Sequence, residues 1–374
     1  MSQPDIKQYV FRKGAEKRIP VSGTFELTSR CNLSCKMCYV HMTKDEQSKV
    51  GQELTTQEWI ALGREAVNAG MVYLLLTGGE PLLRPDFIEI YTSLIQMGLM
   101  ITVNTNATLL TPEILECFQK YRPEKVNVTL YGMSEETYGD LCGNTRGFDA
   151  AIRGILRMKE AGVRVNLNTT FTQRNIADMD RIVAFAKEHH IPVRTAAYVF
   201  PPIRNQHTPD DTCLSPTEMG KAAARFDWLT LDAKQKNQRI AFIQKCLNNQ
   251  PAELEQQSRI SSCMAGRGAF WISWDGKMFP CGMLSDYSVD VRSLGFRKAW
   301  QETCHWIKDM VLPKECTGCK FQKLCPSCAA VSQAVNQSTD QVVPDLCTRT
   351  QAYIHTLLSF RHSHIQYSHE KRYP

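Results

Sequence analysis

A chain of 374 residues that is 43% hydrophobic and 22% charged can bury a large core, which excludes a disordered tail and a small disulfide-stapled scaffold. The net charge of +6 is scattered rather than gathered into a dense Lys/Arg block, so no nucleic-acid partner is predicted. The 15 cysteines are about 4% of the chain, below the roughly 8–10% of a disulfide framework yet heavy for a reducing compartment, and metal ligation is their leading use. No apolar run reaches about 18 residues and the start MSQPDIKQYVFRKGAEKR has no apolar core, so neither a membrane span nor a secretory signal is written here and the predicted location is cytoplasmic.

In chain order, residues 1–21 read as an N-terminal extension. Residues 22–200 then alternate short β-rich runs with amphipathic segments. The runs are GTFELT, MVYLLLTGG, LMITVNTN, KVNVTLYG, RVNLNTTF and PVRTAAYVF, with helical patterns such as LTTQEWIALGREAVNAG and DMDRIVAFAKEHH between them. This alternation predicts βα units around a parallel sheet, hence an α/β fold that is either a partial barrel or a doubly wound sheet. Both arrangements gather functional groups at the carboxyl ends of the strands. Residues 201–258 turn polar and helical and read as a connector. In residues 259–350 cysteines are dense and periodicity fades, which predicts a small domain held by metal rather than by core burial. Residues 351–374 read as a solvated tail, and His362, His364 and His369 within it carry no metal prediction.

Directly after the first strand comes Cys31-Asn-Leu-Ser-Cys35-Lys-Met-Cys38, a C-x3-C-x2-C spacing. Three thiolates so close can take three corners of an iron–sulfur cube and leave the fourth iron open. A tetrahedral zinc site completed by His41 is the competing reading. The second strand ends in Thr77-Gly78-Gly79-Glu80-Pro81, where two glycines allow close backbone approach and the carboxylate could receive an ammonium group.

Together these two motifs resemble the radical S-adenosylmethionine (SAM) superfamily over roughly residues 22–200. The resemblance implies a partial (β/α)6 barrel, a [4Fe–4S] cluster on Cys31, Cys35 and Cys38, and a cofactor whose amino and carboxylate groups chelate the open iron. It carries the cofactor site onto Gly78, Gly79 and Glu80, makes Met37 a backbone contact to adenine, and puts Thr129 in VTLYG where relatives have a serine or threonine near the cofactor. Asn104 and Asn106 end the third strand and would line the same face. Many relatives have an arginine about a dozen residues further on; Cys142 stands there, and Arg146 is the candidate to replace it at the cofactor carboxylate.

The C-terminal cysteines follow Cys263-x12-Gly276-x4-Cys281, then Cys316-x2-Cys319-x5-Cys325-x2-Cys328, then Cys347. This is similar to the SPASM domain of peptide-modifying radical enzymes, with a last spacing of two residues where that pattern has three. A zinc knuckle is the alternative for the four cysteines 316–328 taken alone. The resemblance implies two auxiliary [4Fe–4S] clusters, one on Cys316, Cys319, Cys325 and Cys347 and one on Cys263, Cys281 and Cys328, making three clusters in all. Cys117, Cys246 and Cys304 lie in helical patterns and read as core residues, Cys213 lies in a polar loop, and Trp271 and Trp274 read as packing around the clusters.

The function implied is a radical SAM oxidoreductase that uses a 5′-deoxyadenosyl radical to modify a ribosomally made peptide or protein, installing a thioether, a carbon–carbon cross-link or a similar change. Formylglycine formation on a sulfatase is an alternative, weakened because Gly282 stands where those relatives have an aspartate base. A tetrapyrrole or small-metabolite substrate is another, and from a different class an electron carrier or zinc-organised binding protein, which would have no use for the glycine-rich motif. Tyr131 and Arg267 are the candidate catalytic residues. A leader peptide, if bound, would use residues 201–258, and the expected electron donor is a flavodoxin or ferredoxin.

Overall fold

A computed structural model describes residues 6–196, 198–200, 212–248, 263–308 and 310–370, with residues 362–370 as backbone alone. Six parallel strands form its centre: β1 (Ser22–Glu26), β2 (Tyr73–Thr77), β3 (Met100–Thr105), β4 (Lys125–Thr129), β5 (Val165–Thr170) and β6 (Val193–Ala196). They lie side by side in sequence order with β6 at one edge, and the sheet stays open. The partial barrel follows from period-two patterning. In β4, Val126 and Val128 enter the main core while Lys125, Asn127 and Thr129 face the other way. Leu74 and Leu76, Ile101 and Val103, and Val165 and Leu167 repeat the apolar row. On the opposite face Asn127 Nδ2 donates to its register partner Asn104 Oδ1 at 2.8 Å. The outer face thus binds helices while the concave face is lined by amides and hydroxyls.

The connecting helices start where side chains cap them. Thr55 and Glu58 form a reciprocal box at helix Thr56–Asn68, as do Ser215 and Glu218 at helix Pro216–Thr230. The first of these helices buries Trp59, Leu62 and Ala66 against the sheet. Residues 212–248 of the connector hold two helices, Pro216–Thr230 and Ala233–Asn248; the rest of it lies outside the described residues. No helix among the described residues is long and apolar enough to cross a membrane.

Two sequence expectations are corrected. The cysteine-rich region is not held by metal alone, because β7 (Ala269–Ile272) pairs parallel with β1, and β8 (Lys277–Phe279) and β9 (Val289–Asp290) extend the same sheet. Phe270 and Ile272, with Phe296, Ala299 and Trp300 from helix Val291–Ile307, belong to the main core, and Phe270 meets Phe296 edge-on at 5.0 Å. The expected tail is also a helix, Pro344–Glu370. Tyr353, Ile354 and Leu357 form a helical stripe buried with Ala224 and Ile243. Helix Pro216–Thr230 approaches so closely that a Cβ on Gly220 would stand 2.3 Å from the Arg349 carbonyl oxygen.

Candidate active site and cysteine centres

The chain leaving β1 is zipped to the chain leaving β2. Leu27 N donates to Thr77 O at 2.8 Å, Gly79 N to Thr28 O at 2.7 Å and Glu80 N to Arg30 O at 2.8 Å. This contact explains both glycines. Gly78 has φ +139°, and a Cβ would stand 2.3 Å from Thr28 O at Gly78 and 2.1 Å from Arg30 O at Gly79. Their absent side chains therefore let the β2 turn press against the segment that delivers Cys31.

A charged brace lies beneath that segment. Arg30 makes a two-pronged bond to Glu53, at 3.0 Å from both Nε and Nη2, and Thr28 and Gln47 donate to the same carboxylate. Arg84, with its side chain only 6% exposed, donates to the carbonyls of Leu27 and Leu54 and to Asp86. The hydrogen bonds from Arg30 and Thr28 outweigh partial burial and hold the Glu53 carboxyl below its ordinary range. No sequence motif marks these residues, which meet only in three dimensions.

The cysteine loop has a fixed frame. Ser34 N and Lys36 N each donate at 3.0 Å to the carbonyls of Cys142 and Leu141. Leu33 N points at Cys31 Sγ (3.4 Å) and His41 N at Cys38 Sγ (3.3 Å). Burial pushes the Cys31 thiol up to about 12 and the Cys38 thiol up to about 11, with the neighbouring thiols adding to both. Three half-buried thiols in mutual electrostatic contact, with backbone N–H groups aimed at two of the sulfurs, are a donor set suited to a cationic iron–sulfur core. Among the described residues no three His, Cys, Asp or Glu side chains converge on a single-ion position.

These thiols open into a cavity of about 500 Å³ at the carboxyl ends of the strands. Cys31, Cys35, Met37 and Cys38 of the cysteine loop line it, as do Gly78, Gly79, Asn104, Asn106, Thr129 and Tyr131 at the strand ends and Tyr198, Phe200 and Met283. Asn168, Thr170 and Arg194 also line it. The sequence reading did not single these out, although their place at the ends of β5 and β6 is the signal that could have found them. Thr129, Asn168 and Arg194 are register partners in one row across three strands.

Three candidates fall elsewhere. Glu80 has no accessible surface, and its carboxylate accepts from Leu82 N (2.9 Å), Thr105 Oγ1 (2.7 Å) and Asn106 N (2.7 Å). It ties the β2 turn to the end of β3 and does not line the cavity; burial raises it to about 7. Arg146 is exposed at the start of helix Gly147–Glu160 and does not line the cavity. Arg267 sits in the tight turn Met264–Ala269, also off the cavity. Cys142 is fully buried against Cys35, whose thiol it pushes up.

The C-terminal cysteines form two groups. Cys316, Cys319, Cys325 and Cys347 are mutual electrostatic neighbours, and burial and the other thiols raise Cys316 and Cys347. Cys328 is raised by burial with Cys263 beside it, and Cys281 packs with Cys328 against Leu284 and Ile307. Cys117, Cys246 and Cys304 are buried as expected of core residues. Trp271 covers Gly282 and donates from Nε1 to Glu26 at 2.8 Å, and Trp274 is buried beside Leu54, whose N–H bonds its carbonyl.

An open parallel barrel with a three-cysteine loop after its first strand and a cavity at its carboxyl rim defines a class of cofactor-dependent enzyme. The family model described as the Radical SAM superfamily matches residues 25–210. The AdoMet-dependent heme synthase of Methanosarcina barkeri is 28% identical, across 83% of this chain and 91% of its own. The mycofactocin maturase MftC of Mycobacterium tuberculosis is 26% identical, across 78% of this chain and 73% of its own. Streptococcus suis SuiB, solved with its precursor peptide SuiA, shares the fold with a TM-score of 0.67 at 17% identity, across 91% of this chain and 79% of SuiB. The protein belongs to the radical SAM superfamily and is an enzyme.

Proposed function

We propose that the protein oxidatively modifies a ribosomally synthesised peptide or protein, with Cys31, Cys35 and Cys38 holding a [4Fe–4S] cluster and residues 259–350 acting as a SPASM domain. A second cluster on Cys316, Cys319, Cys325 and Cys347 and a third on Cys263, Cys281 and Cys328 complete the proposal. Bound together, the first cluster and SAM supply a 5′-deoxyadenosyl radical that takes hydrogen from carbon. The chain's own residues position the reactants. Gly78, Gly79, Met37, Asn104 and Thr129 line the cavity beside Tyr131 and would meet the cofactor there.

The observation that carries this reading is the set of apolar clusters shared by the cavity and the C-terminal cysteines. Phe200 and Met283 line the cavity and pack against the same cluster of Leu284, Ile307 and Met310 as Cys281 and Cys328, while Tyr198 and Phe200 pack against the same cluster of Val331, Val343 and Leu346 as Cys325 and Cys328. A substrate bound in the cavity would therefore share its surroundings with the three-cysteine loop and with residues packed beside both C-terminal groups, which supports an oxidative change with electron removal. The described lining combines apolar side chains, among them Leu33, Val40, Val199, Phe200 and Met283, with amides, hydroxyls and one guanidinium, Arg194.

A tetrapyrrole substrate is the second reading, favoured by the length of chain shared with the heme synthase. Formylglycine formation is disfavoured, since a Cβ at Gly282 would stand 2.7 Å from the Trp271 ring and an aspartate has no room there. The test is anaerobic incubation of the reduced protein with SAM and either a short cysteine-bearing peptide, if one is encoded beside its gene, or an iron coproporphyrin. Formation of 5′-deoxyadenosine together with a mass loss on the peptide supports the first reading; decarboxylation of the porphyrin alone replaces it with the second. About twelve iron atoms per chain are expected for three clusters, and a zinc-only preparation overturns the assignment.

A further inference from the structure

A cation stands in the inward stripe of the last helix, Pro344–Glu370. Leu346, Thr350 and Tyr353 are buried there, and Arg349 falls among them at helical spacing, itself half-buried. Its Nε is buried without a hydrogen-bond partner, and among the described residues no carboxylate forms an ion pair with the guanidinium. Asp227 shares its surroundings but is engaged by Tyr353 Oη at 2.6 Å and by Arg239 Nε at 3.9 Å. Burial weakens the hold of Arg349 on its proton, and Cys325, ahead of Tyr353 and Asp227, opposes that. Cys325 is placed to do so, because its Sγ lies 3.9 Å from the carbonyl oxygen of Leu346, one turn before Arg349 on the same helix.

Drawing a charge out of water is repaid only by an opposite charge nearby. Protonated thiols supply none, whereas four thiolates around an iron–sulfur cube leave the whole centre negative. We propose that Arg349 is a positioning residue for the centre on Cys316, Cys319, Cys325 and Cys347, its guanidinium balancing the negative charge of that centre and raising its reduction potential. The inference rests on the clusters proposed above. Net charge and solvent exposure are among the levers that set such a potential, and a fixed cation favours the reduced state, which is the more negative by one electron. No cysteine spacing marks Arg349, since the helix that brings it to Cys325 carries only the last of the four cysteines.

The test is a dithionite redox titration, followed by EPR, of the iron-loaded wild type, R349Q and R349K, with iron, zinc and circular dichroism measured on each. Added SAM marks the transition of the first cluster, which should not move. Of the other two, one should shift to lower potential in R349Q by at least about tenfold in its equilibrium constant, about 59 mV for one electron, and return most of the way in R349K. Should R349Q lose iron, R349K decides: iron and potential near wild type support the charge, and loss of iron there as well overturns it. An iron-replete R349Q in which neither transition moves, or both move equally, overturns the inference alone. Zinc in place of iron on these cysteines overturns the proposed clusters and the inference with them.

Discussion

The Glu80 carboxylate accepts the Asn106 backbone N–H at 2.7 Å, locking the turn after β2 to the end of β3. Asn106 in turn donates from Nδ2 to Asn32 at 2.9 Å, so the lock reaches the cysteine loop. A residue expected to bind the cofactor directly instead holds together the walls of its site.

That position sets a pH dependence. Burial raises the folded-state pKa of Glu80 from 4.5 to about 7, so the folded chain keeps a proton that the unfolded chain has lost. Stability should fall as pH rises from about 4.5 to about 7, by on the order of 3 kcal/mol. Glu80→Gln should remove this part of the slope. Its amide N–H₂ must face one of the donors now bonded to the carboxylate, at a cost of about 1–3 kcal/mol. Urea denaturation between pH 4 and 8 checks both; an unchanged slope would refute the assignment.

Gly79→Ala should destabilise the protein by about 2–4 kcal/mol, because its Cβ meets backbone rather than a movable side chain. The same displacement moves the Cys31 segment, so iron per chain should fall with the denaturation midpoint. Normal iron content and stability in this variant would mean that the β2 turn is not pressed on that segment.

Arg84→Lys keeps the charge but loses the fork that reaches Leu27, Leu54 and Asp86 together. A loss of about 2–4 kcal/mol is expected from this buried site. Glu53→Gln should act in the same direction. Since its folded-state pKa lies below the ordinary 4.5, the wild-type stabilisation is present above that value and is lost as pH falls through the folded pKa.

Arg146→Ala should leave SAM binding within about twofold of wild type, since the guanidinium stands off the cavity. Equilibrium dialysis of the iron-loaded protein measures this, and a tenfold loss would restore Arg146 to the cofactor site.

Deleting residues 351–374 should prevent folding of the C-terminal half rather than trim a tail. Tyr353, Ile354 and Leu357 are each worth about 1.5–3 kcal/mol when fully buried. Expression of soluble, cooperatively unfolding protein after this deletion would contradict the packing described.

The six parallel strands were legible because period-two alternation is a local property, and runs such as KVNVT and VNLNTT carry it complete. The three-cysteine loop was legible because its cysteines lie within eight residues. Gly78 and Gly79 were read as letting the backbone approach a ligand, whereas the close approach in the structure is to the chain itself at Thr28 and Arg30. The brace of Arg30, Glu53 and Arg84 left no local signal, because each is an ordinary surface residue type.

By itself the sequence determined the strand set, the cysteine loop, the capped helices and the family, since each is written in spacings of a few residues. Only the tertiary structure decided that Glu80 turns inward, that Cys142 lies against Cys35, that β7 joins the barrel beside β1, and that the last helix belongs to the core. The physical reason is the same in all four. Each outcome depends on burial and hydrogen bonding between segments far apart in the chain, and whether a carboxylate meets solvent, a ligand or a backbone amide is settled by what the fold packs around it.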